Sequence, residues 1–432
     1  MPLEDIKKNR LNKLKAIERN EINAFPARVQ RTHNLAEALD QFDNLKDQEL
    51  FLTGRLVARR EHGGSTFVDL EDFSGQLQLY FKKNILDKKY QFFLDNIDIG
   101  DFLEVNGFLF FTKKLEKTLE VRDFKIITKT LSPLPTQWYG LTDTEERYRR
   151  RYLDLIMNKE VRKIFETRSK IITALRKFLD DDKFIEVETP ILQPLYGGAT
   201  AKPFKTKLNA LNLNLYLRIA VELYLKRLIV GGFEKIYEIG RDFRNEGMDR
   251  THNPEFTMLE LYIAYKDYNY LMEFTEKMFL NIVNSVFQHH EIEFQGEKIN
   301  FNKLPWQRIE FETLVNNELG EDYKKMSLEK LNRKFKELKI EADPQVKKNK
   351  IKLIDEIYKK QTLPRIIQPT FIINHPIEIS PLAKEKEDDK TKVERFQLIV
   401  GGLEIVNAFS ELNNPLEQEK RFKNQKKLKE KG

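Results

Sequence analysis

The sequence predicts an α+β protein with two parts, a small five-stranded barrel followed by a larger domain of mixed strands and helices. Three observations carry this. A chain of 432 residues is longer than one ordinary core accommodates. Between Phe51 and Thr128 short alternating apolar runs are split by turn residues, the signature of consecutive strands. Beyond about residue 160, helical and alternating patterns mix without internal repeat.

Composition narrows the chemistry. Hydrophobic residues make up 40% and charged residues 33%, and Phe 31 with Tyr 15 supply ample area to bury, which excludes wholesale disorder. Lys+Arg 75 against Asp+Glu 68 leaves +7, compatible with a polyanionic partner without demanding one. Cys 0 removes disulfides, thiolate nucleophiles and Cys-ligated zinc or iron–sulfur sites, and the 6 His show no metal-ligand spacing. No apolar run approaches the ~18 residues of a spanning helix, so no membrane is expected. Met1-Pro2-Leu3-Glu4-Asp5 has no secretory pattern, so the expected location is cytoplasmic.

Each element has its own signal. Leu3, Ile6, Leu11, Leu14 and Ile17 give a one-sided helix that stops before Phe25-Pro26, within an N-terminal extension, 1–48. Strands are expected at 51–60, 65–71, 75–81, 101–111 and 118–128, with turns at His62-Gly63-Gly64 and Phe73-Ser74-Gly75. Five strands, with a longer polar insert between the third and fourth, fit a small closed barrel of the oligonucleotide-binding type over 49–131. Such barrels stack bases on aromatic side chains. Phe67 and Gln78 stand where a base would be stacked and hydrogen-bonded, although an ordinary core position for Phe67 fits the pattern equally. A proline-stiffened linker occupies 132–150 and ends in the basic-aromatic run Arg147-Tyr148-Arg149-Arg150-Arg151-Tyr152. The remaining part, 151–432, starts with a helix over 160–179 and a strand over 184–189 ended by Pro190. It contains neither a Gly-x-Gly-x-x-Gly nor a Gly-Lys-Ser/Thr phosphate loop, which argues against a Rossmann or P-loop site.

The densest chemistry lies between Tyr237 and Tyr262. Residues 238–246 alternate as a strand, a loop carries Gly247, Asp249, Arg250, Thr251 and His252, and residues 254–262 alternate again. Arg244, Glu246, Phe256, Glu260 and Tyr262 share parity, so a hairpin would set them on one face. Arg offers a planar fork to phosphate or carboxylate, an aromatic stacks a purine, and acids receive amines or hold Mg²⁺. A charged hairpin with compensating surface pairs would read the same.

These residues resemble a known family. The strand up to Pro190 and the hairpin with Phe243-Arg244-Asn245-Glu246, His252, Phe256 and Glu260 resemble motifs 1 and 2 of class II aminoacyl-tRNA synthetases. Arg147 to Leu155, Gly197-Gly198-Ala199, Tyr216 to Leu228 and Asn407-Ala408-Phe409-Ser410-Glu411-Leu412-Asn413 resemble, more narrowly, the lysyl-tRNA synthetases. The resemblance runs from the helix before the barrel to about Phe422. It implies an OB-fold anticodon-binding barrel joined to a class II catalytic domain, an antiparallel sheet flanked by helices. It implies ATP-dependent activation of L-lysine to lysyl-adenylate, transfer to the 3′-terminal adenosine of tRNA(Lys), Mg²⁺ as cofactor, and a homodimer through motif 1. Carried over, Arg244 bridges the lysine carboxylate and the α-phosphate as the catalytic residue. Glu246, His252, Phe256 and Glu404 bind ATP. Gly198 and Glu222 hold the α-amino group, Tyr262 and Glu411 receive the ε-ammonium, and Glu260, Asn407 and Phe409 complete the lysine pocket. Phe67 and Gln78 fall on anticodon-reading positions, with Asp123 where a Glu is usual.

Two departures stand out. The family's metal carboxylates lie seven residues apart; Glu404 is present, and Glu411 is added to the set, but Gln397 replaces the first acid and should hold Mg²⁺ more weakly. Nothing after Phe409 resembles the third, Gly-rich motif, and the chain stops in a basic run over 420–431, so the sequence looks C-terminally incomplete. Lys423, Lys426 and Lys427 are the cations that would stand in for the missing arginine. A tRNA-binding module without full catalysis, or a relative charging aspartate or asparagine, are the competing readings. A pocket for those side chains wants a cation, whereas Glu411 and Tyr262 suit an ammonium.

Overall fold

The computed structural model describes residues 2–135, 141–249, 251–341 and 346–430, with side chains up to Lys423; Arg250 and the side chains of Lys426 and Lys427 lie outside the described residues. The chain divides into two compact units, Met1–Lys163 and Ile164–Gly432.

In the first unit, β1 (Leu50–His62), β2 (Ser65–Glu71), β3 (Gln76–Lys82), β4 (Phe102–Phe111) and β5 (Lys117–Thr128) close into a barrel in the order β1-β2-β3-β5-β4. Period-2 alternation decides what goes inside: Val68 and Leu70 from β2 and Leu77, Leu79 and Phe81 from β3 are fully buried. Strand β1 outruns the expected 51–60 because it serves two neighbours, pairing from Leu50 with β4 and to His62 with β2, across a bulge near Leu56. The insert between β3 and β4 is helical rather than irregular, with α4 (Lys83–Leu86) and α5 (Lys88–Asn96). Its few apolar residues do the packing, Phe93 stacking on Phe81 at 4.2 Å between ring centroids.

Helix α1 (Leu3–Arg19) buries Leu14 and Ile17, and α2 (Leu35–Asp40) and α3 (Phe42–Leu45) bury Leu35, Ala38, Phe42 and Leu45 in the same core as the barrel. Asn34 and Glu37 form a capping box that starts α2. Arg10 reaches from α1 to three carbonyls, Ile99 at 2.9 Å, Thr130 at 3.1 Å and Ser132 at 3.4 Å. The expected linker, 132–150, is helical in its second half: α6 (Thr144–Arg149), with α7 (Arg151–Met157) after it, carries the basic-aromatic run, while residues 136–140 lie outside the described residues. Buried Asp154 draws Arg147 and Arg151 inward, which removes two of its four arginines from any free cationic surface.

Helix α8 (Lys159–Asp181) leads into the second unit. Strand β6 (Ile185–Glu186) is shorter than the expected 184–189, since only two residues pair, parallel to β10, before the chain turns toward Pro190. Next come β7 (Leu192–Gln193), β8 (Lys205–Leu208), β9 (Leu213–Leu217) and α9 (Glu222–Val230). The hairpin β10 (Lys235–Phe243) and β11 (Glu255–Ile263) then forms, followed by α10 (Tyr268–Phe287) and the small hairpin β12 (Glu291–Phe294) and β13 (Glu297–Asn300). A four-stranded sheet is built from β14 (Gln307–Glu310), β15 (Thr370–Ile373), β16 (Arg395–Val400) and β17 (Leu403–Phe409), with α11 (Phe311–Leu319), α12 (Leu328–Glu337) and α13 (Lys350–Ile357) inserted after β14 and α14 (Pro415–Glu430) at the end.

Alternation again assigns faces. Phe371 and Leu398 join the core with α10, while Ile372 and Ile399 join the separate core of α11, α12 and α13. Helix α10 also buries Phe274, Met278 and Ile282 against α8 and the β10–β11 hairpin, so one helix serves both sheets. The second unit thus consists of mixed sheets flanked by helices, with the five-stranded closed barrel ahead of it in the chain. Among the described residues, no helix is long and apolar enough to cross a membrane.

Candidate active site

The floor of the site is the β10–β11 hairpin, in which Glu238 pairs with Glu260, Ile236 with Tyr262 and Asp242 with Phe256. Beneath it runs a buried guanidinium. Arg218, 2% exposed, donates from Nε to the Arg241 carbonyl at 2.8 Å and from Nη1 to the Thr189 carbonyl at 3.1 Å, and it pairs with Glu238 and, at 3.3 Å, with Asp242. The crossing needs a glycine: a Cβ on Gly240 would stand 2.1 Å from Arg218 Nη2. Asp242 is fully buried and burial pushes its carboxyl up to about 6 against the pull of Arg218 and Arg244.

Strand β10 ends at Phe243, so Arg244 and Glu246 lie beyond the strand on which parity had placed them. The Arg244 amide still bonds to Pro254, its in-register neighbour, but proline has no N–H to return, and the Asn245 amide turns away to Lys202, so pairing stops. Arg244 still faces the hairpin, its guanidinium 5.0 Å from the centroid of Phe256. The Glu246 carboxylate reaches back toward the Lys202 amide at 3.4 Å, and exposed His252 meets Asp249 at 2.9 Å.

Acids gather on one side of this floor. Glu260 is pushed up to about 8 by desolvation and then by Asp242 and Glu222; the Tyr262 hydroxyl is raised by the same burial with Glu222 and Glu260 beside it. Glu222 starts α9, with Gly198 pressed against it: a Cβ there would lie 2.9 Å from Glu222 Cβ, and the φ of +88° independently favours glycine. Glu411, just after β17, is pushed up to about 7 by burial, Lys226 pulling the other way. Lys226 Nζ sits between these acids, 2.6 Å from Glu222 Oε1 and 2.8 Å from Glu411 Oε2.

The other expected pocket residues lie on β16 and β17. Asn407 pairs with Gln397 and Phe409 with Arg395, and Asn407 Oδ1 accepts from Arg395 Nε at 2.9 Å. Gln397 is buried, its Oε1 taking the Tyr358 hydroxyl and contacting His375 Nε2, both at 2.9 Å. Burial pushes His375 down to about 3, so a neutral ring faces that amide. Glu404 is exposed on β17. Among the described residues no three His, Asp or Glu converge as a metal cage. Mg²⁺ commonly takes only one or two protein carboxylates and completes its shell with phosphates and water, and Glu404 fits that use. Glu411 faces an ammonium instead.

In the barrel, Phe67 stacks on Tyr80 with centroids 4.5 Å apart, while Gln78 Oε1 accepts from Thr118 Oγ1 at 3.0 Å. Asp123 pairs with Lys89 at 2.6 Å at the surface. Sequence reasoning passed over Arg218, Lys226, Asp242 and Tyr80. Tyr80 had a signal, since it shares a face with Gln78 on β3.

A family model of class II tRNA synthetases (D, K and N) matches residues 143–432, and one of OB-fold nucleic acid binding domains matches 51–127. A lysine–tRNA ligase of Roseiflexus sp. (strain RS-1) is 46% identical over 427 residues, covering 98% of this chain and 87% of that protein. The lysine–tRNA ligase of Carboxydothermus hydrogenoformans is 44% identical over 431 residues, with 100% and 88% covered, and that of Thermosipho africanus 41% over 437 residues, with 100% and 86%. With the barrel, the acidic hairpin floor and these relatives in agreement, the chain belongs to the lysine–tRNA ligase family of class II aminoacyl-tRNA synthetases.

Proposed function

We propose that the chain activates L-lysine with ATP to lysyl-adenylate and passes the lysyl group to the 3′-terminal adenosine of tRNA(Lys). The observation that carries this is the convergence of Glu222 and Glu411 on one ammonium beside Glu260 and Tyr262, which is recognition chemistry for a diamino acid. The nucleophile is the substrate's own carboxylate, already anionic, so no protein base is required. Arg244 aligns that carboxylate with the α-phosphate and neutralises charge developing there. Phe256, with the Arg244 guanidinium beside it, offers a ring face on which adenine stacks, bordered by Glu246 and His252. Glu222 and Gly198 take the α-ammonium, Glu411 and Tyr262 the ε-ammonium, with Glu260, Asn407 and Phe409 as remaining walls. Glu404 would hold Mg²⁺ together with the phosphates, where the ion supplies charge neutralisation.

ATP–pyrophosphate exchange with a panel of amino acids tests the reading: lysine should support exchange, aspartate and asparagine should not. Glu411→Gln should raise the KM for lysine far more than that for ATP, by up to a few kcal/mol for one charge-assisted contact. Glu411 receives an ammonium only when ionised, so lysine binding should strengthen as pH rises through about 7. A fall in ATP affinity with lysine unaffected would move Glu411 to the nucleotide.

The barrel reads the anticodon in this proposal, Phe67 and Tyr80 forming a stacking platform beside Gln78 and Asp123. Phe67→Ala in the whole chain should weaken tRNA(Lys) by roughly 1–3 kcal/mol, the value of one stacked base. Equal binding by the variant would reduce the barrel to a charged platform. A homodimer is proposed through the start of the second unit, where Ile164, Phe165, Ile185, Ile191, Leu192 and Leu195 are all exposed.

A further inference from the structure

Lys226 is chemically a copy of the substrate's side chain, and it stands against the two carboxylates assigned above to the substrate's ammonium groups. One turn of α9 separates it from Glu222, the favourable acid-first i,i+4 arrangement. Glu411 arrives from the far end of the chain and meets the same nitrogen. The Lys226 side chain is 28% exposed, so the pair is open to exchange rather than sealed in a core. Without this cation, Glu222 and Glu411 would face each other and Glu260 with no counter-charge between them, and like charges at that range repel. An empty pocket built only of acids would rearrange or take up protons.

We infer that Lys226 is an internal stand-in for the substrate's ammonium, holding Glu411 aimed in the free protein and yielding it when lysine enters. This rests on the assignment of Glu411 to the ε-ammonium. On entry, the Lys226–Glu411 contact is exchanged for the substrate–Glu411 contact, while Lys226 keeps Glu222 or turns to solvent. Lys226 is therefore a positioning residue that also competes with lysine, keeping the pocket formed at the expense of affinity.

The chain has no cysteine, so Lys226→Cys provides a unique thiol. Alkylation with 2-bromoethylamine then restores an ammonium of nearly the original reach, and an ethyl thiosulfonate gives a neutral control. Lysine binding is measured by calorimetry without ATP, at pH values where it has reached its plateau. The thiol and ethyl forms should bind lysine about 2–10-fold more tightly than the parent, the net range of one ordinary hydrogen bond, and the aminoethyl form should return to the parent value. Lys226→Arg, whose fork grips both carboxylates, should weaken lysine by a similar factor with the KM for ATP unchanged. Weaker lysine binding by the thiol form, with rescue by either the aminoethyl group or arginine, makes the contact a plain structural pair and overturns the inference. Tight lysine binding by the parent, lost in Glu411→Gln, shows that the pocket assignment survives such a failure. A parent that binds no lysine refutes the assignment itself.

Discussion

Arg244→Ala should lower lysyl-adenylate formation by at least ~100-fold, the scale of removing one preorganised charge contact at a reacting phosphorus. The residue is held by the last in-register bond of the hairpin. Its amide bonds to Pro254 at 2.8 Å, its Nε donates to the Ile219 carbonyl at 3.4 Å, and its guanidinium lies 5.0 Å from the Phe256 centroid. Arg244→Lys should also fail, since an ammonium cannot fork between two anions or lie flat on an aromatic face. Both variants should change the unfolding midpoint little at neutral pH, because Asp242 keeps Arg218 and Glu260 is already pushed up to about 8. Near-normal pyrophosphate exchange by Arg244→Ala would dismiss the bridging role.

The largest loss of stability is expected from Arg218→Ala, about 3–5 kcal/mol by denaturant unfolding of the second unit. Removing the guanidinium strands Glu238 and Asp242 in the protein and leaves the carbonyls of Thr189 and Arg241 without their donor. Arg218→Lys should recover only part of this, because one ammonium cannot reach partners spread around a planar fork. An Arg218→Ala variant within 1 kcal/mol of the parent would mean that water fills the gap at little cost, contrary to the burial seen here.

What could be read from the sequence follows from where its periodicity came from. The barrel strands have one buried face each, so Val68, Leu70, Leu77 and Leu79 announced themselves by alternation. The helical insert did not, because α5 buries little more than Tyr90 and Phe93 amid polar neighbours. Parity put Arg244 and Glu246 in a strand, yet β10 ends first because Pro254 opposite Arg244 returns no hydrogen bond and Asn245 turns to Lys202; the proline was a readable stop signal, the Lys202 contact was not. Family likeness named Glu222, Glu260, Tyr262 and Glu411, and the structure gathers them around one acidic corner. Arg218 escaped notice because its partners are distant in the chain, and Lys226 because Glu411 is, although Glu222 lies one turn away; Gln397 looked like a weakened metal ligand although its amide is engaged by Tyr358 and His375.

The reach of Arg10 has a consequence for the order of events during synthesis. It bonds a carbonyl 120 positions further on and another at 122. Helix α1 leaves the ribosome ahead of the barrel, and the helix it packs on, α5, follows only some seventy residues later. Contacts of that sequence separation carry a large loop-closure cost and form late. At about 5–20 residues per second, the nascent helix waits on the order of ten seconds before its site exists. Its many charges, Lys7, Lys8, Lys13 and Lys15 among them, keep the waiting segment in solution, and Arg10 locks to its carbonyls only after the barrel strands are made.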